Sequence, residues 1–137
     1  MPSRPFSSLS EAAYALLRIA AGAMFAFHGV QKIFGILADQ QPAVGSQLWI
    51  GGVIELVGGA LICVGLFARC AAFVASGQMA VAYFQFHWRL ALDSKVFPGI
   101  NGGELAVLYC FLFLLVACRG AGIWSLDRRR SRPSATS

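Results

Sequence analysis

Between Leu48 and Phe67 the chain reads LWIGGVIELVGGALICVGLF, twenty residues with a single charged side chain, Glu55. A helix needs about 20 apolar residues to cross a bilayer, so a segment this long and this poor in charge has lipid as its natural solvent. A carboxylate inside it costs about 3 kcal/mol or more when it faces acyl chains, so Glu55 must face protein or water. Gly51, Gly52, Gly58 and Gly59 lie three and four residues either side of it. A glycine stripe of this kind lets another helix backbone approach closely. Glu55 is therefore expected to point into a helix bundle.

Three further apolar segments accompany this one: Tyr14 to Leu37, Cys70 to Phe86 and Gly102 to Cys118. The polar stretch 38–47, with Pro42 and Gly45, reads as a loop. The FARC run around Arg69 suits a tight turn, and 87–101 is a longer connection with Pro98-Gly99 as a turn signal. The expected fold is all-α, a four-helix transmembrane bundle with helices at about 14–37, 48–67, 70–86 and 102–118. Residues 1–13 precede this membrane domain of 14–118, and a basic tail, 119–137, follows it. The tail sequence DRRRSRPSATS is polar throughout and is expected to be disordered.

Composition agrees with this reading. Of 137 residues, 58% are hydrophobic and only 12% charged, where soluble domains carry about 25% charged residues. The net charge of +5 does not indicate nucleic acid, because five of the eleven basic residues are Arg119, Arg128, Arg129, Arg130 and Arg132. They form a tail after an apolar segment rather than a basic face interleaved with aromatics. Four crossings put Arg4, Arg18, Arg69, Arg119 and the tail arginines on one side, and basic residues accumulate on the cytoplasmic side. Both termini are thus expected in the cytoplasm and the chain in the plasma membrane, with Arg18 marking the inner boundary. Trp49, Trp88 and Trp124 are expected at headgroup level. The run Ile19 to Phe27 has the length of a signal-peptide core, but His28 to Leu37 does not continue it as a cleavage region.

The polar residues inside the apolar segments are the candidate site. Met24, His28, Gln31, Lys32 and Gly35 share one face of the first helix. At 1.5 Å per residue, His28 lies about 15 Å above Arg18 and Lys32 about 6 Å further, close enough to the outer surface for its ammonium to snorkel. In the third segment Ala71, Ala75, Gln78, Ala82 and Gln85 form a small-and-polar stripe, and Glu104 opens the fourth. Glu55 with His28 and Glu104 with Lys32 are the expected pairs. His87, beside Trp88 and Arg89, reads as interfacial. The candidate pocket residues are His28, Gln31, Lys32, Glu55, Gln78, Gln85 and Glu104, in the outer half of the bundle. Two readings stay open: a purely structural polar network, or a pocket for a small redox or proton-carrying ligand.

Other chemistries lack their residues. There is no GxSxG, HExxH or phosphate loop. Cys63, Cys70, Cys110 and Cys118 form no CxxC pair and no zinc spacing, and read as small packing residues. No metal site is expected, and a haem between His28 and His87 has no motif behind it. An internal echo is visible: RIAA at Arg18 to Ala21 against RCAA at Arg69 to Ala72, and a Gly-Gly followed by Glu55 against Gly102-Gly103 followed by Glu104. It hints at a duplicated two-helix hairpin.

LLRIAAGAMFAFHGVQKIFG, GGVIELVGGALICVGLFAR, and NGGELAVLYCFLFLLVA leading to GIWSLDRR cover most of Leu16 to Arg129. These segments resemble the DoxX family of small four-span membrane proteins, related to the DoxD subunit of thiosulfate:quinone oxidoreductases. The resemblance places His28, Gln31, Lys32, Glu55 and Glu104 on the family's polar motif positions. It implies an accessory subunit of a quinone-linked oxidoreductase or of an oxidative-stress membrane complex, with quinone as the ligand. The alternative is a non-catalytic scaffold or small-molecule carrier. No flavin, iron–sulfur or haem motif is present, so an electron donor would come from a catalytic partner subunit. Homo-oligomerisation is left open.

Overall fold

The computed structural model describes residues 4–131, and all regular structure among them is helical. Helix α1 spans Arg4–Phe34 and α2 spans Gln47–Val64. Helix α3, Ala68–Ala82, runs directly into a π-helical turn at Tyr83–Trp88. After a short turn at Ser94–Val96 come the single-turn α4 at Pro98–Asn101, the long α5 at Glu104–Arg119 and the short α6 at Leu126–Arg130. The four long helices pack as α1 on α2, α3 on α5 and α2 on α3.

Two of these boundaries differ from expectation. Helix α1 starts at Arg4, ten residues before the expected 14. The segment SSLSEAA is polar but has no proline or glycine, so the helical hydrogen-bond ladder simply continues beyond the apolar run. The tail is also ordered as far as Ser131: Ser125 caps α6, its Oγ accepting from Arg128 N. Asp127 then accepts from Phe67 N at 2.9 Å and Ala68 N at 3.0 Å, capping the start of α3. An acidic cap at a helix N-terminus is what two free N–H groups require. The part of the expected disorder that falls on 132–137 lies outside the described residues.

Glycines set the α1–α2 contact. A Cβ on Gly22 would lie 2.5 Å from Cys63 N, one on Gly29 would lie 2.6 Å from Gly52 O, and one on Gly59 would lie 2.7 Å from Gly22 O. Backbone meets backbone along this seam, leaving no room for a methyl group. Gly58 turns the other way, toward Ala71 O on α3. Glu55 thus stands between the α1-facing and α3-facing glycines, and it is buried. At the centre, Phe25 of α1 packs on Phe113 (4.8 Å between ring centroids) and Tyr109 (5.5 Å) of α5.

Outside this core the perimeter is apolar. Leu16, Leu17, Met24 and Phe27 on α1, Val57 and Val64 on α2, Phe73 and Val81 on α3, and Leu105, Leu108, Phe111 and Leu115 on α5 are all exposed. Exposed apolar side chains on all four long helices suit lipid contact. By length and composition, Phe6–Phe34 and Gln47–Val64 are long and apolar enough to cross a membrane.

Arg18 does more than mark one end of the bundle: its side chain is fully buried. Nη1 donates to Ile62 O (2.7 Å) and Cys63 O (2.8 Å), at the end of α2. Nη2 donates to Trp124 O (2.8 Å) and Ile123 O (3.4 Å). The last carbonyls of a helix have no partner within it, and a guanidinium offers five donors in a fixed fork. Gly65 follows with φ +70°, and a Cβ there would lie 2.8 Å from Arg18 Nη1, so glycine is required on both counts. Arg69 repeats the device on α5, donating to Ala117 O, Cys118 O and Arg119 O. The RIAA and RCAA segments therefore do equivalent structural work, each arginine closing the end of the helix paired with its own.

Candidate functional site

Glu55 is held from two sides. Its Oε1 accepts from Lys32 Nζ of α1 at 2.5 Å and from Gln78 Nε2 of α3 at 3.0 Å. Gln78 Nε2 also donates to Gly51 O at 3.1 Å. Three helices are thus joined through one carboxylate oxygen. The other oxygen, Oε2, is buried with no hydrogen-bond partner, and so is Oε1 of Gln78. The Glu55 side chain is 3% exposed and that of Lys32 is 32% exposed, so the ion pair is buried at its acidic end and open at its basic end.

A cavity of about 570 Å³ opens over this group. Its wall is mostly apolar, with Phe25, Ile54, Met79, Phe86 and Tyr109 among the lining residues. Its polar lining is Lys32, Gln47, Glu55, Gln78 and the two histidines, His28 and His87. An apolar cavity with a few convergent polar groups is the usual form of a small-molecule site. The π-helical turn contributes two of these residues, Phe86 and His87, and turns of this type are frequent at functional sites.

The expected pairings are corrected by this geometry. Glu55 pairs with Lys32, not His28. Gly29 must face α2 because its backbone touches that helix. Lys32, three residues on, shares that face, whereas His28 is turned about 100° away. His28 accordingly lies on the exposed flank of α1, at the rim between the cavity and a shallower apolar groove lined by Leu17, Met24, Leu108 and Leu112. Glu104 does not reach Lys32; it is exposed in the first turn of α5, where an acidic group suits the helix dipole. Gln31 is not at the cavity either, and donates to Leu37 O at 3.0 Å, closing the end of α1. Gln85 is exposed and accepts from Gln47 at 2.5 Å near the cavity's edge. Of the seven expected residues, the structure brings Lys32, Glu55 and Gln78 into contact and places His28 at the rim.

Sequence reasoning did not place Tyr109, Phe86 or Gln47 in the site. Tyr109 sits in an apolar run with no polar neighbour at helical spacing, and the π turn shifts the face of Phe86 and His87 in a way no 3.6-residue period reveals. Among the described residues, no three His, Cys, Asp or Glu side chains lie close enough together to hold a metal ion. The four cysteines are free thiols.

The sequence profile of the DoxX family matches residues 13–88, more than half of the chain and all of the Lys32, Glu55 and Gln78 cluster. The chain belongs to the DoxX family. A DoxX membership together with apolar surface on all four long helices makes it a membrane protein. An uncharacterized protein of Haemophilus influenzae is similar at 44% identity over 119 residues, covering 84% of this chain and 88% of that one. An uncharacterized membrane protein of Mycobacterium tuberculosis is similar at 32% identity over 135 residues, covering 85% and 80%. These relatives match 84% and 85% of the chain, so the likeness is not confined to one helix pair. No solved structure matches the chain.

Proposed function

We propose that this chain is a multi-pass protein of the plasma membrane whose Glu55 cavity takes a small lipophilic ligand of the quinone class, and that it serves as an accessory subunit of a quinone-linked oxidoreductase or oxidative-stress complex. The observation that carries the reading is the buried Glu55 carboxylate, tied to Lys32 and Gln78 through one oxygen only, at the floor of an apolar cavity. An ionisable residue at membrane depth is expensive, and those that persist face a cavity or a pathway. A catalytic partner subunit would supply the electron donor; in this chain Glu55, Lys32 and Gln78 bind and orient, and His28 and His87 stand at the wall as proton carriers.

Four crossings are the reading that the pairing of the four long helices supports, although α5 is shorter than a usual span. Helix α3 with its π turn is a continuous rod of 15 plus 6 residues, and α5 has 16. Arg18, Arg69, Arg119 and the arginines of α6 gather at one end, and Lys32 at the other. The positive-inside tendency then orients the arginine end, with both termini, to the cytoplasm. The M. tuberculosis relative, described as a membrane protein, supports the setting.

A scaffold role for the same residues has one observation in its favour, that the Lys32–Glu55–Gln78 contacts join three helices. The two readings part on one experiment. The protein is isolated in native nanodiscs, its lipophilic small molecules are extracted and identified by mass spectrometry, and thermal stability is measured alongside. Loss of a co-purifying quinone in Glu55→Gln and His28→Ala, with the melting temperature held, is the expected result. Unchanged ligand content with a lowered melting temperature would establish the scaffold instead.

A further inference from the structure

The arginine end holds a second recess, of about 600 Å³, between the start of α3 and the segment that follows α5. Arg69, Arg119 and Arg128 line it, and all three are exposed, so the recess is open to whatever surrounds that end. The one carboxylate among its lining residues, Asp127, is committed through both oxygens, Oδ1 to Phe67 N and Oδ2 to Ala68 N. Arg119 is paired with Glu11 and lies 4.0 Å over the Tyr14 ring. Among the described residues, Arg69 and Arg128 have no carboxylate within ion-pair distance. Arg69 is pinned by the carbonyls of Ala117, Cys118 and Arg119, which occupy three of its five N–H groups and leave its charge unanswered. The recess thus carries fixed positive charge in excess of its own acids.

Below the recess the surface changes character. Arg69 and Ser76 of α3 both touch α5, Ser76 Oγ donating to Cys110 O at 2.7 Å. Phe73 lies four residues after Arg69 and three before Ser76, so it borders the same seam, and it is 68% exposed. Leu114, four residues from both Cys110 and Cys118, faces that seam from α5 and is also exposed. A cationic recess therefore stands over an apolar seam, at the end of the long helices, where a membrane chain meets the headgroup layer. A soluble anion would use only the recess. A molecule with an anionic head and an acyl tail uses both. Guanidinium groups suit phosphate oxygens, and basic pockets between membrane helices suit anionic headgroups.

We propose that this recess binds an anionic phospholipid of the surrounding bilayer, with its phosphate received by Arg69 and Arg128 and one acyl chain laid along Phe73 and Leu114. The site lies at the opposite end of the bundle from Glu55 and does not depend on what the Glu55 cavity holds. A lipid seated there would join the start of α3 to α6 and fill the seam between α3 and α5.

The test is native mass spectrometry of the full chain in detergent, titrated with dioleoyl phosphatidylglycerol or dioleoyl phosphatidylcholine. Phosphatidylglycerol is expected to bind about tenfold tighter. Arg128→Gln should cut that preference about fivefold. Its melting temperature should hold, because only backbone atoms of Arg128 make hydrogen bonds among the described residues. Arg129→Gln makes the same charge change on the same short helix but outside the recess, and should leave the preference unchanged. Glycerophosphoglycerol, the same head without acyl chains, should bind at least about tenfold more weakly than the lipid. Equal binding of the two lipids would overturn the proposal. Equal losses in Arg128→Gln and Arg129→Gln would overturn it too, by assigning the preference to the general charge of the arginine end. Glycerophosphoglycerol binding as tightly as the lipid would replace the lipid with a soluble phosphate ester.

Discussion

The two ends of this molecule handle buried polar groups in opposite ways. At the arginine end, Arg18 meets four backbone carbonyls, Arg69 meets three, Asp127 accepts from two N–H groups, and Tyr14 donates to Gly120 O at 2.6 Å. Among the described residues at this end, only Arg18 Nε is left over. At the Glu55 end, each of two side chains uses one polar atom and leaves the other unpaired beside a cavity. Natural folds satisfy nearly all buried polar atoms, so a local shortfall asks for an explanation. The first end is built to hold shape. The second leaves two buried oxygens unpaired.

This contrast can be broken experimentally, and the largest effect belongs to the arginine end. Arg18→Ala should lower stability by about 3 kcal/mol or more, because several buried carbonyls lose charge-assisted bonds at once. Arg18→Lys should recover only part of it, since one ammonium cannot copy the planar fork. Thermal unfolding in a single detergent checks both, and an unchanged melting temperature for Arg18→Ala would remove the distinction between the ends. Next comes the glycine seam. Gly29→Leu should cost about 1–3 kcal/mol by forcing α1 off α2, read as a lower melting temperature together with loss of a cysteine crosslink engineered across that seam.

Smaller effects sharpen the comparison. Asp127→Ala removes the α3 cap and should cost about 1 kcal/mol in the same unfolding assay. Replacing Lys32 and Glu55 together, as Lys32→Met with Glu55→Leu, should leave stability within about 1 kcal/mol of the parent or raise it, since apolar substitutes for a buried ion pair are often neutral or better. Ligand binding should disappear in that double variant, which separates the cost of the pair from its use. Gln85→Ala, an exposed change, should stay within about 0.5 kcal/mol.

How much of this was legible beforehand follows the same division. The depth of Glu55 and the glycines around it could be read from spacing alone, because a 3.6-residue period fixes which residues share a face of one helix. That Lys32, rather than His28, would meet Glu55 depends on how α1 is rotated against α2. Gly22 and Gly29 decide that rotation, and their seven-residue spacing is the one signal of it that the sequence carries. The position of Arg18 marks one end of the bundle, but its partners are carbonyls 44 to 106 residues away in sequence, which no local pattern encodes. The tail looked disordered by composition, but the Ser125 and Asp127 caps act on backbone groups, and Asp127's target lies across the molecule.

The grip of Arg18 on the end of α2 and on the segment after α5 has a consequence for how the protein is made. One guanidinium collects carbonyls from the close of the first hairpin and from Ile123 and Trp124, almost at the end of the described residues. During synthesis that side chain enters the nascent fold with half its acceptors still inside the ribosome. The first hairpin can form early but cannot lock until Ile123 and Trp124 have emerged, so a chain cut just before Ile123 would fail at its beginning rather than at its end.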